Sequence, residues 1–235
     1  MTTSCLFPPP APVTVPVAGL SAAFPVRRIF CVGRNYAEHA REMGAHDQAA
    51  GLEPPFFFSK PADALVSGCG ELAVHYPPQT ANLHHEIELV AALGQGGADI
   101  AVHDALACVL AYGVGLDLTR RDVQARAKEK GHPWDMSKGF DHSAACAPLR
   151  LASECGHLGQ GRIWLEINGA LRQEGDLAQM GWSVARIVAE LSSWVRLAPG
   201  DLIYTGTPAG VAALQRGDVL RAGVVDLPQL HARIV

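Results

Sequence analysis

LHHEIELVA, Leu83 to Ala91, sets two carboxylates, Glu86 and Glu88, two residues apart inside an apolar run. Side chains alternate along a strand, so extended backbone puts Glu86 and Glu88 on one face with His84 and Val90, while Ile87 and Leu89 take the other. The acids are then neighbours about 7 Å apart; on a helix, residues two apart do not face each other. The β-branched content and the nearby Gly94 select a strand, predicted from Leu83 to Leu93. Two ionised carboxylates on a partly buried face repel each other and lose hydration. Basic side chains, a proton held by one acid, or a hard cation would each offset that cost. A solvated strand face beside a Lys or Arg accounts for this segment equally well.

Outward from this strand the chain reads as β-rich. RIFCVG, Arg28 to Gly33, is a short apolar strand, and RNYAEHAREMG after it is a short helix with Asn35 as cap, Glu38 completing a capping box and Gly44 as stop. EPPFFFSKPADAL is a strand bounded by turns. Val102–Leu110 fits a helix, YGVGLDLT is a strand too rich in glycine for a helix, and RRDVQARAKEKG is a second helix stopped by Gly131. HPWDMSKGFDHSAACAPL forms a long irregular connection, of the kind that is functional or disordered. Asn168-Gly169 between strand-like segments marks a two-residue hairpin. WSVARIVAELSSWV is an amphipathic helix capped by Ser183, and short strands end the chain. The class is α+β and β-rich, with an extended arm over residues 1–20 and one domain over 21–235.

Of 235 residues, 49% are apolar and 18% charged, as in a folded globular chain. A net charge of −4 without a basic block argues against nucleic acid as partner. No run approaches the roughly 18 apolar residues of a membrane span. The first residues lack a basic n-region and are too proline-rich for a secretory signal. The six cysteines have no C-x-x-C spacing and read as reduced thiols, so a cytoplasmic protein is expected.

G-x-S-x-G, H-E-x-x-H, the phosphate-binding G-x-x-x-x-G-K-[ST] and a strand-to-helix G-x-G-x-x-G are all missing, which removes the common esterase, zinc-protease and nucleotide-binding readings. Carboxylates remain: Glu86, Glu88 and Asp117, the last in a glycine-flanked apolar strand where it needs a partner. Oxygen-only ligation suits Mg²⁺, Mn²⁺ or Ca²⁺; pairing of Asp117 with Arg120 or Arg121 is the alternative. His39 and Glu42 lie three apart on one helical face, where a carboxylate can orient an imidazole that takes a proton from water, or where both form an exposed pair. That helix is too short to be stable alone, as in a lid that orders over a ligand. Lys138 in SKGFD is the third candidate, against a solvated surface lysine.

Taken in order, GRNYAEH (33–39), FFFSKP (56–61), HHEIELV (84–90), GVGLDLTRRDVQ (113–124), SKGFD (137–141) and YTGTPAGV (204–211) resemble the fumarylacetoacetate hydrolase family over most of the chain. The resemblance implies the family's mixed β-sandwich roll with short peripheral helices, a homodimer, and Mg²⁺ or Mn²⁺ on Glu86, Glu88 and Asp117. In the acylpyruvase branch it implies a lid dyad of His39 and Glu42, a catalytic Lys138, and substrate contacts from Lys60, Gln124 and Thr207. The implied reaction cleaves a carbon–carbon bond of a 1,3-diketo acid. His39 activates the water, Lys138 stabilises the developing enolate or oxyanion, and the metal polarises the carbonyls. YPPQTANLHHEIELV is most similar to the branch that converts fumarylpyruvate to fumarate and pyruvate in gentisate degradation. Oxaloacetate decarboxylation or tautomerisation and aromatic-pathway isomerisation are the alternatives within the family. RAGVVDLPQLHARIV departs from the family pattern in lacking a glycine-rich hairpin near the C-terminus.

Overall fold

The computed structural model describes residues 5–42 and 55–235. Two mixed sheets face each other. The larger has eight strands, seven of them in the order Phe56–Lys60, Arg28–Gly33, Asp201–Tyr204, Ile87–Leu93, Val109–Asp117, Ala144–Cys146, Leu65–Ser67, with Arg150–Leu151 paired beside Val109–Asp117. The smaller has five, ordered Ala170–Asp176, Arg162–Ile167, Val219–Val224, Leu230–Ile234, Leu72–Val74. This is the sandwich-like, β-rich α+β architecture expected from the sequence. No helix among the described residues is long and apolar enough to cross a membrane.

Period-two patterning decides which residues meet between the sheets. Ile87, Leu89, Ala91 and Leu93 pack with Val114 and Leu116 against Ile163, Leu165, Leu220 and Ala222 of the smaller sheet. The opposite face carries Val90, Ala92, Cys31, Leu202 and Tyr204. It is covered by Val15, Val17 and Phe24 from a short hairpin of Thr14–Pro16 with Ala23–Pro25. The larger sheet is therefore buried on both sides. Asp201 pins Arg28–Gly33 alongside Asp201–Tyr204 by pairing with Arg27 and Arg28 at 3.1 and 2.8 Å.

Several local readings hold and some shift. Asn168 and Gly169 adopt φ of 52° and 78°, as a type I′ turn requires. Gly131, at φ 64°, ends the helix Arg121–Lys130, and the Ser183 hydroxyl accepts from the Arg186 N–H to cap Val184–Trp194. The strand expected over Leu83–Leu93 is broken at 85–86 into Leu83–His84, which pairs with Thr119–Arg120, and Ile87–Leu93. The helix expected over Val102–Leu110 is only Val102–Ala105 with a 3₁₀ turn Leu106–Cys108. Strand pairing claims the chain from Val109, where Leu93 is its partner. The long connection after Gly131 carries a helical turn, Asp135–Lys138, and the strand Ala144–Cys146, fixed by pairing with two distant strands. The short helix expected after Gly33 is Ala37–Glu42, and the expected stop at Gly44 lies outside the described residues. Asp226, at φ 60°, takes the left-handed position in the link between the last two strands.

The glycines of Val109–Asp117 have a packing cause. Tyr204 reaches across Val90 to lay its ring on Gly115 and donates to the Ala145 carbonyl at 3.0 Å, linking four strands. A Cβ at Gly115 would lie 2.5 Å from Val90 Cγ2 and 2.6 Å from Tyr204 Cε1. Gly115→Ala should therefore cost about 1–3 kcal/mol, read as a Tm drop of about 2–10 °C. Gly70→Ala, whose methyl meets nothing within 4 Å, should stay within about 0.5 kcal/mol of the parent. Equal Tm values for the two variants would reject this account of the strand.

Candidate active site

Antiparallel pairing brings the acids together. Glu88 stands opposite Gly115, and the Asp117 N–H donates to the Glu86 carbonyl at 2.9 Å, so both acidic strand ends meet at one edge of the larger sheet. Carboxylate oxygens of Glu86, Glu88 and Asp117 lie within 4.8 Å of one another, all three residues buried. Basic side chains answer part of that charge. Lys138 donates to Glu86 at 2.9 Å and to Asp117 at 2.7 Å, Lys60 pairs with Asp117 at 2.8 Å, and Arg121 pairs with Glu86. The alternative partners Arg120 and Arg121 are thus not those of Asp117; Arg120 stacks on Phe140 and donates to the Met136 carbonyl.

Glu88 is treated differently. It is 1% exposed, accepts the Gly206 N–H at 2.7 Å, and has no basic partner among the described residues. Gly206 is at φ 97°, and a Cβ there would meet Asn35 Cβ at 2.7 Å, so only glycine brings this N–H to the acid. Burial, then Asp117 and Glu86, push the Glu88 carboxyl well above its usual range. Burial would raise Glu86 too, but Lys138 and Arg121 overcome it and hold that group well below. Lys138 would lose its proton through burial, yet Asp117 and Glu86 keep it charged. An all-oxygen set that includes one buried acid without a counter-charge fits a hard divalent cation.

His39 faces the same cavity. Its Nδ1 lies 3.2 Å from Glu42 Oε2, and Glu42, itself exposed, accepts from the Gly210 N–H at 3.2 Å, so the pair is anchored at the surface end of a buried imidazole. Burial lowers the His39 pKa, opposed in part by Glu86 and Glu42. Asn35 serves as a tie rather than the expected cap. Its amide donates to the Trp182 and Thr205 carbonyls and accepts from the Trp182 N–H, fixing the turn before the helix to the loop that carries Gly206.

The cavity is lined by His39, Glu86, Glu88, Gln124, Lys138 and Thr207 among the sequence candidates. Gln124 accepts from Arg121 at 2.7 Å, and Thr207 accepts from Gln173 at 2.8 Å, leaving its own hydroxyl hydrogen for a ligand. Lys60 is not in the lining; it sits beyond Asp117 and donates to the Leu118 and Lys138 carbonyls. Sequence reasoning did not single out Gln173, whose buried amide accepts from the Ile87 N–H, contacts His85 and donates to Thr207 and the Pro208 carbonyl. Its place in an ordinary hairpin gave no signal. Arg34, Phe56, Phe58, Lys128 and Trp134 also line it and were equally unmarked.

The fumarylacetoacetate (FAA) hydrolase C-terminal family matches residues 28–235. The chain belongs to the fumarylacetoacetate hydrolase family. A fumarylpyruvate hydrolase of Pseudomonas aeruginosa, whose crystal structure holds Mn²⁺ and pyruvate, is 50% identical with a TM-score of 0.95, each chain covered to 99%. A fumarylpyruvate hydrolase of a Ralstonia species is 38% identical over 78% of this chain and 94% of its own. A mitochondrial oxaloacetate decarboxylase of Dictyostelium discoideum is 37% identical over 86% and 90%.

Calorimetric titration with Mn²⁺ should give a binding isotherm for the parent and none for Glu86→Ala or Asp117→Ala. Lys138→Met should keep or tighten binding, since it removes a positive charge beside two of the three acids. Loss of binding in Lys138→Met alone would reverse the assignment.

Proposed function

We propose that this protein is a divalent-metal-dependent hydrolase that cleaves the carbon–carbon bond of an acylpyruvate, with fumarylpyruvate giving fumarate and pyruvate. One observation carries the reading: a buried imidazole, oriented by a carboxylate 3.2 Å away, lines the same cavity as Glu86, Glu88 and a charged lysine. Bound to Glu86, Glu88 and Asp117, Mg²⁺ or Mn²⁺ would supply a Lewis acid for the substrate's oxo groups.

The chain's own residues supply the proton handling. His39 is neutral at physiological pH because burial disfavours the imidazolium, so it can take a proton from water. Glu42 fixes the ring through Nδ1 and leaves Nε2 as the base. The hydroxyl adds to the distal keto carbon. The bond from that carbon to the methylene breaks, its electron pair passes into the pyruvyl enolate, and the proton held by His39 balances the methyl group formed. Lys138, kept cationic by its neighbours, donates to the oxyanion. Gln124 and Thr207 orient the substrate from the cavity lining, and Lys60 holds Asp117 in place. We extend this reading to a cytoplasmic homodimer acting in gentisate breakdown.

Oxaloacetate decarboxylation or tautomerisation is the second reading, favoured by the Dictyostelium relative. Both chemistries pass through the enolate of a 2-oxo acid; only the hydrolase needs water delivered. Loss of fumarylpyruvate absorbance with one pyruvate released per molecule, abolished by a chelator, would support the first. Carbon dioxide or keto–enol exchange from oxaloacetate, with fumarylpyruvate untouched, would establish the second.

His39→Ala should lower kcat about 10²- to 10⁴-fold while Mn²⁺ affinity measured by calorimetry stays nearly unchanged; unchanged turnover would remove the dyad. The base works only when neutral and its pKa is lowered, so the acid limb of the kcat/KM profile should fall below pH 6.5. Glu42 raises that pKa by stabilising the imidazolium, so Glu42→Gln should move the limb further toward acid and reduce the rate. A limb displaced toward neutral pH would contradict this order.

A further inference from the structure

The cavity holds more positive charge than its acids use. Arg121 and Lys138 are committed to Glu86 and Asp117. Arg34 and Lys128 also line it, from the turn after Arg28–Gly33 and from the last helical turn of Arg121–Lys130, and neither has an ion-pair partner among the described residues. Both stand against one aromatic wall. The Arg34 guanidinium is 5.8 Å from the Phe56 ring centre and Lys128 Nζ is 5.1 Å from that of Trp134, the two rings meeting edge to face at 5.4 Å.

We infer that Arg34 and Lys128 form a subsite for a second carboxylate, at the end of the substrate away from the acidic cluster. The site would then select dicarboxylic 2-oxo acids over monocarboxylic acylpyruvates. This deepens the reading of the site as an acylpyruvate hydrolase and rests on it for the position of the substrate's head. Two cations on separate elements, converging on an apolar wall without a counter-ion among the described residues, provide charge-assisted donors for an anion. Phe56, Phe58 and Trp134 provide the apolar surface for an unsaturated carbon chain between the two ends. Arg34 also holds φ 60°, a region costly for a side chain of its size. Burial and the repulsion of Arg121, Arg34 and Lys138 lower the Lys128 pKa, a repulsion that an incoming carboxylate would relieve.

Two inert ligands separate the idea from turnover. 2-Oxoadipate and 2-oxohexanoate share the 2-oxo acid head and chain length and differ only in the terminal carboxylate. Calorimetry on the Mn²⁺-loaded protein should show 2-oxoadipate bound at least about tenfold more tightly. Lys128→Met, and Arg34→Asn, chosen because asparagine accepts positive φ, should each weaken 2-oxoadipate about tenfold and leave 2-oxohexanoate within about twofold. Equal affinity for both ligands in the parent, or an equal loss of both in the variants, overturns the subsite. If the preference holds while fumarylpyruvate is not cleaved, the subsite stands and the hydrolase reading falls. If fumarylpyruvate is cleaved without the preference, the reverse follows.

Discussion

Three carboxylates buried within reach of one another are the constraint around which this molecule is arranged. Their mutual repulsion and lost hydration far exceed what a local contact can offset. The counter-charges come from separate parts of the chain: Lys60 at the end of the Phe56–Lys60 strand, Arg121 at the start of a helix, and Lys138 at the end of a helical turn. Each pair is satisfied only when the larger sheet has its full order of strands, so the charge cluster and the sheet specify each other. The ion pairs do little for net stability, because desolvation consumes most of the Coulomb gain. They hold positions, and they leave Glu88 as the acid without a counter-charge.

Around this fixed centre the reactive groups sit on short, locally weak elements. A six-residue helix has no stability of its own, so His39 owes its place to contacts outside the helix. Asn35 ties the preceding turn to the Thr205–Thr207 loop, and Glu42 ties the last turn to Gly210. Gln173 connects the start of Ile87–Leu93, and so the acids, to Thr207 across the two sheets. These few hydrogen bonds hold the imidazole in register with the acids.

The strand of Glu88 was readable because alternation is a local property, and the turn at Asn168-Gly169 because φ demands glycine there. Glu86, Glu88, Asp117 and His39 were marked by residue type: buried or paired acids and a His–Glu spacing stand out in any sequence. What was not legible is non-local. Nothing near Asp117 in the chain announces Lys60 or Lys138 as its partners, and the neighbouring arginines were the reasonable local guess. Ala144–Cys146 lacks strand-like side chains and becomes a strand because two others flank it. Asn35 fits a helix cap by type, but tertiary partners claim its amide. Gln173, in the most ordinary segment of the chain, links four groups through one side chain.

The excess of cations at the cavity also bears on how a small acid arrives. The chain carries a net charge of −4, but its repulsion of a dianion is largely screened beyond about 8–10 Å. Inside that distance Arg34 and Lys128 present an unneutralised local field against low-dielectric aromatic walls, which concentrate it. A metal at the acids and cations at the mouth would then act in series. On the proposed reading the outer pair would draw an anion in and set its direction, while the inner site would accept the 2-oxo acid head once a cation balances Glu88. A molecule anionic at both ends would then be held at two points, with the carbon chain between them near His39. On the proposed reading, that leaves the keto carbon to be attacked as the segment under the base. A shorter diacid such as oxaloacetate has no second keto carbon to be attacked, so on the second reading the same enolate chemistry would end without hydrolysis.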